Sequence, residues 1–359
     1  MQKKRFEPID LVIVNFYPFE QTVKQIKNDE KILENIDIGG PTMVRAAAKN
    51  YKDVTVITNI SQYESLLKNI NQNRGATSLE FRKKAALEAF GETAYLESLI
   101  YNYFRGLNSN EFSRKFTVGF NLIEKLRYGE NPHQEGAIYS ASENLNLDKL
   151  NGKQLSYNNY SDIFAALQIS KTFPNKKGAV IVKHGNPCGV SVHENNIQSF
   201  LHAYKCDPLS AFGGILSCNF RINKKLALEL NKLFFEVIIA NEFDKDALYL
   251  LKRKKNLRLI NSKNYKISNN NNLISNMDFA LSQNPDVKNF NYHDFKVVSK
   301  NKPNKKTFDN LIFAFNVCRF VKSNAIVLTN EKSTVGIGSG QPSRLDSCDI
   351  AIKKMNLFQ

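Results

Sequence analysis

The chain has 359 residues, a length that suggests about two or three domains. Hydrophobic residues make up 42% of it and charged residues 23%, proportions that are typical of a soluble globular protein. No apolar run reaches the ~18 residues that a membrane span requires. The charged start, Met1–Arg5, leads into no apolar segment with a cleavage site, so we expect no secretory signal either.

The formal net charge is +16, from 50 Lys and Arg residues against 34 Asp and Glu residues. Such a charge can attract polyanions or phosphorylated metabolites, or it can reflect a composition rich in Lys, Asn and Ile. We favour the compositional interpretation because the lysines are scattered rather than gathered on one face. No arginine-rich or aromatic-interleaved motif indicates RNA binding.

The cysteines are odd in number and contain no C-x-x-C pair. This pattern predicts neither a disulfide framework nor a zinc site with four thiolates, and it fits a reducing cytosol. The cysteines are Cys188, Cys206, Cys218, Cys318 and Cys348.

Residues 1–116 show the pattern of an α/β domain. The continuous apolar run Asp10–Asn15 predicts a buried parallel strand, and Val54–Thr58 predicts the next strand. Between them, Pro41 suits the first turn of a helix. The pattern of Thr77–Glu80 is that of a capping box and predicts the start of a long helix.

Residues 117–359 repeat the α/β pattern. Gly178–Lys183 predicts a buried strand that ends in a polar, glycine-rich turn. The segment Asn261–Asn291 is rich in Asn, Ser and Lys and predicts a loop region between subdomains. Further strands are predicted near Ser210–Ser217, Ala325–Leu328 and Thr334–Gly338.

Lys183 and His184 lie where the predicted strand Gly178–Lys183 enters its turn, so their side chains can face a ligand. An imidazole titrates near neutral pH and can shuttle a proton, while an ammonium group can stabilise an oxyanion. The pair therefore suits acyl or formyl transfer. From the dipeptide alone, however, a histidine that makes hydrogen bonds in a turn is the more common outcome.

Two glycine-rich segments are further candidates for ligand contact. Gly39–Arg45 places a glycine turn before a helix amino terminus, with Asp37 before it and Lys49 at the far end of the helix. An anion site and a plain β-to-α turn fit this pattern equally well. Gly336–Gly340 lacks the spacing of a dinucleotide-binding loop. We predict instead a turn that lets the backbone approach a ligand, with Arg344 reaching a phosphate or carboxylate.

The segment Leu126–Gln134 is a predicted loop that combines Arg, Tyr, Asn, His and Gln. Ordering such a polar loop is unfavourable unless it binds something, which makes it a candidate binding loop. The alternative is a linker between domains.

Seven segments of the sequence, taken together, form a distinctive pattern. They are Asp10–Phe19, Ile36–Asn50, Leu126–Gln134, Val182–Gly189, Asp207–Gly214, Val321–Ile326 and Gly336–Arg344. In this order they resemble the bifunctional AICAR formyltransferase/IMP cyclohydrolase family. The match extends over nearly the whole chain, so agreement by chance is remote.

The resemblance implies an α/β protein with two catalytic domains. Residues 1–116 would be the later part of a cyclohydrolase domain with a methylglyoxal-synthase-like fold. Residues 117–359 would be the earlier part of a formyltransferase domain built from cytidine-deaminase-like α/β subdomains, the second of them incomplete. Because the match starts at Asp10 and stops soon after Arg344, we expect a fragment that lacks both ends and is inactive alone.

The resemblance also assigns residues to two sites. In the formyltransferase, Lys183, His184 and Asn324 would be catalytic. The substrate contacts there would come from Arg127, Tyr128, Asn159, Phe212, Gly213, Glu236 and Arg344, with Glu236 standing where some relatives carry Asp. In the cyclohydrolase, the catalytic positions would be Asp37, Lys49 and Tyr17, with Asn15 beside them as a substrate contact.

By the same resemblance, the co-substrate is 10-formyltetrahydrofolate, and neither a redox cofactor nor a catalytic metal is expected. The 5-amino group of AICAR would attack the formyl group, with His184 managing its proton and Lys183 stabilising the tetrahedral oxyanion. The product FAICAR would then close to IMP with loss of water, while Asp37, Lys49 and Tyr17 orient the groups. We expect a cytoplasmic homodimer whose partners are AICAR, FAICAR or IMP, and folate, with no nucleic acid and no membrane.

Two alternatives belong to other classes of protein. A zinc nucleobase deaminase would show H-x-E and P-C-x-x-C motifs. His133–Glu135 fits the first motif, but the residues after Cys188 lack the second thiolate, so the zinc ligand set is incomplete. The charge alone suggests a nucleic-acid-binding protein without enzymatic activity, which would show salt-sensitive binding to random DNA.

Overall fold

The structure, a computed structural model, describes residues 7–107, 112–142, 144–174, 177–267, 272–275 and 278–359. The chain divides into two compact units, Met1–Asn121 and Leu122–Gln359. Both units combine strands with helices, so the predicted α/β class is confirmed.

The first unit contains a pair of parallel strands with several helices. The strands are β1 (Leu11–Ile13) and β2 (Thr55–Ile57). The helices described in this unit are α1 (Phe19–Gln25), α2 (Asp29–Glu34), α3 (Gly39–Lys49), α4 (Tyr63–Gln72) and α5 (Leu79–Leu107), with a 3₁₀ turn at Ile60–Gln62. Small buried residues of α3 and α5, such as Ala48 and Ala89, pack with Val56 of β2 in one core.

The strand predicted at the start of the chain is present and parallel, but the prediction that it is buried is wrong. Leu11 and Ile13 are 39% and 46% exposed, whereas Val12 packs against the core that α3 and α5 form. Successive side chains of a strand point to opposite faces, and this core covers one face of β1.

The long helix α5 is also confirmed, but it begins one residue later than the capping box predicts. The side chain of Ser78 accepts a hydrogen bond from Phe81 N at 3.2 Å and so caps the helix. Thr77, the predicted cap, instead shares a hydrogen bond of 2.7 Å between its hydroxyl and that of Thr55 in β2. Pro41 lies in the first turn of α3, as predicted.

The second unit contains the larger sheet. The strands described here are β3 (Asn121–Leu126), β4 (Gly136–Ser140), β5 (Asp148–Asn151), β6 (Gly178–Lys183), β7 (Asn186–Val192), β8 (Ile215–Ile222), β9 (Val237–Phe243), β10 (Arg258–Asn261), β11 (Asn272–Ser275), β12 (Ala280–Gln283), β13 (Ile326–Asn330) and β14 (Ser333–Gly338). The helices are α6 (Tyr157–Ser170), α7 (Asn196–Cys206), α8 (Pro208–Ala211), α9 (Lys224–Asn231), α10 (Lys245–Lys252), α11 (Lys305–Cys318) and α12 (Arg344–Phe358), with a 3₁₀ turn at Tyr292–Asp294.

Among the described residues, eight of these strands form one mixed sheet in the order β13-β14-β7-β6-β8-β9-β10-β5. The pairs β8–β9 and β9–β10 are parallel, and the other neighbouring pairs are antiparallel. Two smaller sheets are formed by β3 with β4 and by β11 with β12.

The apolar residues of β6 alternate between two cores. Ala179 and Ile181 belong to a cluster with residues of α7, α9 and α10. Val180 and Val182 belong to a cluster with residues of α6 and α11. Helices therefore cover both faces of the sheet, which explains why β6 is apolar at consecutive rather than alternate positions and confirms the predicted buried strand.

The prediction of a loop region at Asn261–Asn291 is wrong in part. Within it, β11 and β12 form an antiparallel pair in which Ile274 lies opposite Leu281. Because the segment is mostly polar, its sequence does not indicate these two short strands. Residues 268–271 and 276–277 of the segment lie outside the described residues.

The glycines of Gly336–Gly340 have a different role from the predicted ligand turn. Gly336 and Gly338 lie inside β14, where α12 packs closely on the strand. A Cβ atom would lie 2.2 Å from Ala351 O at the first glycine and 1.8 Å from Ser347 O at the second. These two glycines therefore admit a helix backbone rather than a ligand. Gly340, with φ +67°, lies in the turn after the strand.

Gly338→Ala should destabilise the second unit because the new methyl group would overlap the backbone of α12. We expect a loss of about 1–3 kcal/mol in the free energy of unfolding, measured by urea denaturation. Gly91→Ala is the matched control: it lies in α5, nothing is within 4 Å of the added Cβ, and a gain of about 0.5–1 kcal/mol is expected. An unchanged midpoint for Gly338→Ala would contradict this packing.

Candidate active site

The ends of several sheet strands meet at one edge. Val182, near the end of β6, pairs with Ile215 at the start of β8, and Ile215 pairs with Val237 at the start of β9. At the other side of β6, Lys183 pairs with Asn186. We call this end of the sheet the loop edge. The predicted formyltransferase residues at the loop edge are Lys183, His184, Phe212, Gly213, Glu236, Asn324 and Arg344.

The turn between β6 and β7 consists of His184 and Gly185. Both residues are left-handed, with φ +53° and +71°. This backbone shape suits a two-residue hairpin turn but is unfavourable for histidine. The carboxylate of Asp162 on α6 accepts hydrogen bonds from both backbone N–H groups, at 3.0 Å from His184 and 2.6 Å from Gly185. The turn is thus anchored while the His184 side chain stays exposed.

The ammonium group of Lys183 is held by a neighbouring loop. Its Nζ donates a hydrogen bond to Phe212 O at 2.7 Å. Gly213 follows with φ +71°, and its N–H donates to Phe234 O at 2.9 Å. The rings of Phe212 and Phe234, 63% and 52% exposed, lie 5.0 Å apart between centroids. An apolar surface therefore stands beside the lysine, where a flat ring could stack.

Asn159 and Glu236 meet at the same edge. The buried Asn159 donates from Nδ2 to Glu236 Oε2 at 2.8 Å, and it also forms a capping box with Ser156 at the start of α6. The guanidinium of Arg258 lies 3.7 Å from the same carboxylate oxygen. Glu236 is therefore oriented by an amide and by a cation, with 43% of its side chain exposed.

Asn324 connects two loops of the site. Its Nδ2 donates to the carbonyl oxygens of Gln341 and Pro342 at 3.0 and 2.7 Å. Nearby, Lys322 accepts a hydrogen bond from Gly340 N at 2.7 Å. These contacts hold the segment before β13 against the segment that leads into α12. Arg344, the first residue of α12, is exposed there.

Lys322 also links this pair of loops to the histidine turn. Its backbone N–H donates to Asn186 Oδ1 at 3.3 Å, and its Nζ lies 4.0 Å from where a Cβ of Gly185 would be. A second ammonium group therefore lies close to the turn that carries His184.

Arg127 and Tyr128 lie together in the loop after β3. The Arg127 guanidinium carbon is 4.9 Å from the Tyr128 ring centroid, and its NH2 donates to the tyrosine hydroxyl at 3.2 Å. Asn158 at the start of α6 donates from Nδ2 to Glu130 O at 3.1 Å, which holds this loop beside the helix that carries Asn159 and Asp162.

The residues predicted for the second site lie in the first unit. Asp37 accepts a hydrogen bond from Gly40 N at 2.8 Å, next to the amino end of α3, whereas Lys49 ends the same helix. At a rise of 1.5 Å per residue, the two ends of α3 lie about 15 Å apart. Asn15 donates to Thr58 O at 3.2 Å, and Tyr17 is 57% exposed.

Four residues at the loop edge are absent from the sequence-based assignment: Asp162, Lys322, Phe234 and Arg258. Lys322 lies inside one of the seven recognised segments, Val321–Ile326, so its position carried a signal. Asp162 lies on an ordinary helix, and only the left-handed turn that it caps reveals its place in the site.

A buried ion pair supports the loop that carries Phe212. Asp207 is 2% exposed, and its Oδ2 lies 2.7 Å from Lys354 Nζ, while its Oδ1 accepts from Ser210 N at 2.9 Å and caps α8. Burial alone would raise the pKa of Asp207, but the hydrogen bonds from Lys354 and Ser210 lower it below its ordinary value. The pair thereby links α12 to the helix that leads into Phe212.

The described ranges contain no group of three or more His, Cys, Asp or Glu residues placed to hold a metal ion. In the same ranges, every helix is too short or too polar to cross a membrane.

Comparison with known proteins gives consistent matches over the whole chain. The profile of the AICARFT/IMPCHase bienzyme family matches residues 47–354. The bifunctional purine biosynthesis protein PurH of Persephonella marina is 43% identical over 377 residues, which cover 100% of this chain and 71% of that protein. The proteins of the same name from Thermoanaerobacter sp. and Lactobacillus acidophilus are 42% and 41% identical, covering 99% and 98% of this chain and 70% of each relative.

Lys354→Met should leave Asp207 buried without its cation. We expect a loss of about 2 kcal/mol at pH 7, less than the ~3–5 kcal/mol of a fully buried pair, because Lys354 is partly exposed. Since the folded-state pKa of Asp207 is lowered, its stabilising contribution is present above about pH 4 and disappears as the pH falls through that pKa.

Urea denaturation at several pH values measures this effect, with the exposed neighbour Lys353→Met as the matched control. The difference from wild type should shrink towards acidic pH for Lys354→Met. Equal stability of both variants at pH 7 would contradict the role assigned to the pair.

Proposed function

Because the chain belongs to the AICARFT/IMPCHase bienzyme family, we propose that its loop edge is the formyltransferase site and that its first unit carries the cyclohydrolase site. The family acts in purine biosynthesis: the formyltransferase moves a formyl group from 10-formyltetrahydrofolate to AICAR, and the cyclohydrolase closes FAICAR to IMP. The observation that carries the proposal is the convergence of Lys183, His184 and Arg344 at one end of one sheet.

The division into domains is part of the proposal. Residues 1–116 would form a methylglyoxal-synthase-like cyclohydrolase domain, which the parallel pair β1–β2 with α3 and α5 supports. Residues 117–359 would form the formyltransferase domain from cytidine-deaminase-like subdomains. The mixed sheet with helices on both faces supports this second assignment.

Formyl transfer needs help because the 5-amino group of AICAR is a poor nucleophile. Its lone pair is delocalised into the imidazole ring and the carboxamide. His184, exposed on an anchored turn, would take the proton as the amine attacks the formyl carbon. The bond from that carbon to N10 of the folate then breaks, and tetrahydrofolate leaves with a proton. Lys183 uses one N–H on Phe212 O, which leaves two donors for the oxyanion of the tetrahedral intermediate.

The surroundings of these two residues suit anionic substrates with flat rings. Arg344 stands at the amino end of α12, where its guanidinium can bind the AICAR phosphate. Phe212 offers a surface for the pteridine ring, and Arg127 with Tyr128 and Asn324 would complete the contacts. Cations at the edge outnumber the carboxylates, which favours both a phosphate and the folate carboxylates.

Asn159, Gly213 and Glu236 would contribute to the nucleotide site. Asn159 orients the Glu236 carboxylate, and this contact leaves part of the carboxylate free to accept from a substrate hydroxyl or amine. Gly213 lets the backbone of the loop pass close to Phe234, since a Cβ at this position would lie 3.3 Å from the ring.

Ring closure is an intramolecular reaction, so orientation of the groups supplies much of its rate. The carboxamide nitrogen attacks the new formyl carbon, and water leaves. We assign this step to Asp37, Lys49 and Tyr17, with Asn15 as a substrate contact. Asn15 and Tyr17 both follow β1, so they lie near each other in the sequence and at the end of the same strand.

The assembly and location of the enzyme are also proposals. We expect a homodimer in the cytoplasm, without nucleic-acid or membrane partners. The five cysteines are free thiols, as in proteins of a reducing compartment.

The zinc deaminase alternative finds little support in the position of Cys188. This residue is buried in the core that contacts α7, and burial raises the pKa of its thiol to about 12. Among the described residues, Cys188 belongs to no group of three or more His, Cys, Asp or Glu residues placed to hold a metal ion.

In a complete enzyme, His184→Ala should lower the kcat of formyl transfer at least ~10²-fold, because the proton acceptor is lost. AICAR should still bind within about tenfold of wild type, as measured by calorimetry. The cyclisation of FAICAR by the same variant should be unchanged, because we assign it to the other unit.

His293→Ala provides the matched control, since His293 is exposed and lies away from the loop edge in the sequence. It should retain wild-type formyl transfer. Turnover near the wild-type level in His184→Ala would sink the assignment of His184 as the proton acceptor.

A further inference from the structure

The turn of His184 and Gly185 places a histidine in a backbone conformation that is uncommon for residues other than glycine. A hairpin turn of this kind leaves its N–H groups without partners inside the turn. The position of the imidazole therefore depends on whatever holds those two groups. In this structure, both are held by one side chain, the carboxylate of Asp162.

The carboxylate of Asp162 is a bidentate acceptor, because each of its two oxygens accepts one hydrogen bond. Oδ2 lies 3.0 Å from His184 N and Oδ1 lies 2.6 Å from Gly185 N. Hydrogen bonds to an ionised acceptor are stronger than those between neutral groups, and two of them fix both position and orientation. Asp162 lies on α6, whose Ile163 and Leu167 are fully buried in the core. This packing holds the helix, and therefore the acceptor carboxylate, in a fixed position.

A second turn in the same sheet shows what such a turn needs merely to form. Glu331 and Lys332 connect β13 to β14, and they are left-handed too, with φ +49° and +55°. Here the side-chain anchor is the neutral amide of Asn310, whose Oδ1 accepts from Lys332 N at 2.9 Å. A turn of this shape is thus built with a single neutral acceptor, and the charged double anchor occurs at the turn that carries His184.

We propose that Asp162 is a positioning residue for formyl transfer, acting through the backbone N–H groups of His184 and Gly185 to aim the imidazole at the reacting amine. This inference rests on the proposed function of His184. Asp162 binds the histidine's backbone rather than its ring, so it orients the proton acceptor without exchanging a proton with it. Its loss should impair turnover and leave AICAR binding almost unaltered.

The test compares Asp162→Ala and Asp162→Asn with Asn310→Ala, which removes the anchor of the second turn. Formyl transfer is measured with the purified complete enzyme, and thermal unfolding is recorded for each variant. Asp162→Ala should lower kcat by about 10- to 100-fold, the scale of a misplaced catalytic group, with the KM for AICAR within about threefold of wild type. Asp162→Asn keeps the shape of the side chain and one acceptor oxygen, so its kcat should lie between that of wild type and that of Asp162→Ala. Asn310→Ala should keep wild-type kcat.

A double-mutant cycle separates positioning from general loss of structure. In the His184→Ala background, Asp162→Ala should cause no further loss, because Asp162 acts only through the histidine. An equal further loss in that background, or wild-type kcat in both Asp162 variants, would overturn the inference while leaving the proposed function intact. Wild-type turnover in His184→Ala would overturn both.

Discussion

β6 lies between β7 and β8 in the large sheet, and its pairing with both strands determines where the loops of the candidate site open. Val182 pairs with Ile215, and Lys183 pairs with Asn186, so the strands on either side begin where β6 ends. This register is fixed by the two cores, since a shift of one residue would exchange the residues that face them. The packing of apolar side chains on both faces of β6 thereby places Lys183 and His184.

Several residues of the candidate sites have a structural contact as well as an assigned role. Asn159 closes the capping box of α6, Asn324 binds two backbone carbonyls, and Asp37 accepts from the backbone beside α3. Substituting any of them alters stability and activity together, so turnover alone does not assign them a catalytic step. His184 differs because its side chain is exposed on an anchored turn.

Much of the fold follows from local patterns in the sequence. The unbroken apolar run of β6 predicts a strand buried on both faces, and the glycine-rich turn after it is where the pattern puts it. Local patterns give the wrong prediction where tertiary contacts determine burial or hydrogen bonding. Leu11 and Ile13 belong to an apolar run that looks like a core strand, yet one face of β1 is exposed. Thr77 fits a capping box, but its hydroxyl bonds to Thr55 instead.

The site is predicted less completely than the fold for a related reason. Lys183 and His184 are adjacent in the sequence, so their combination is visible there. Asp162 lies 22 residues before His184, and nothing in its own helix indicates that its carboxylate caps a turn. Gly336 and Gly338 illustrate the opposite error, since a glycine pattern that suggests a ligand turn serves the close approach of α12. The roles of these residues depend on contacts between distant segments, so they cannot be predicted from the sequence of one segment alone.

We propose that loops from separate parts of the chain form one AICAR site at the loop edge. Hydrogen–deuterium exchange of the enzyme with and without AICAR tests it most directly, because it reports each segment separately. On AICAR binding, we expect slower exchange in residues 183–186, 212–214, 322–324 and 340–344 together. Protection that spares these segments while AICAR is bound would contradict it.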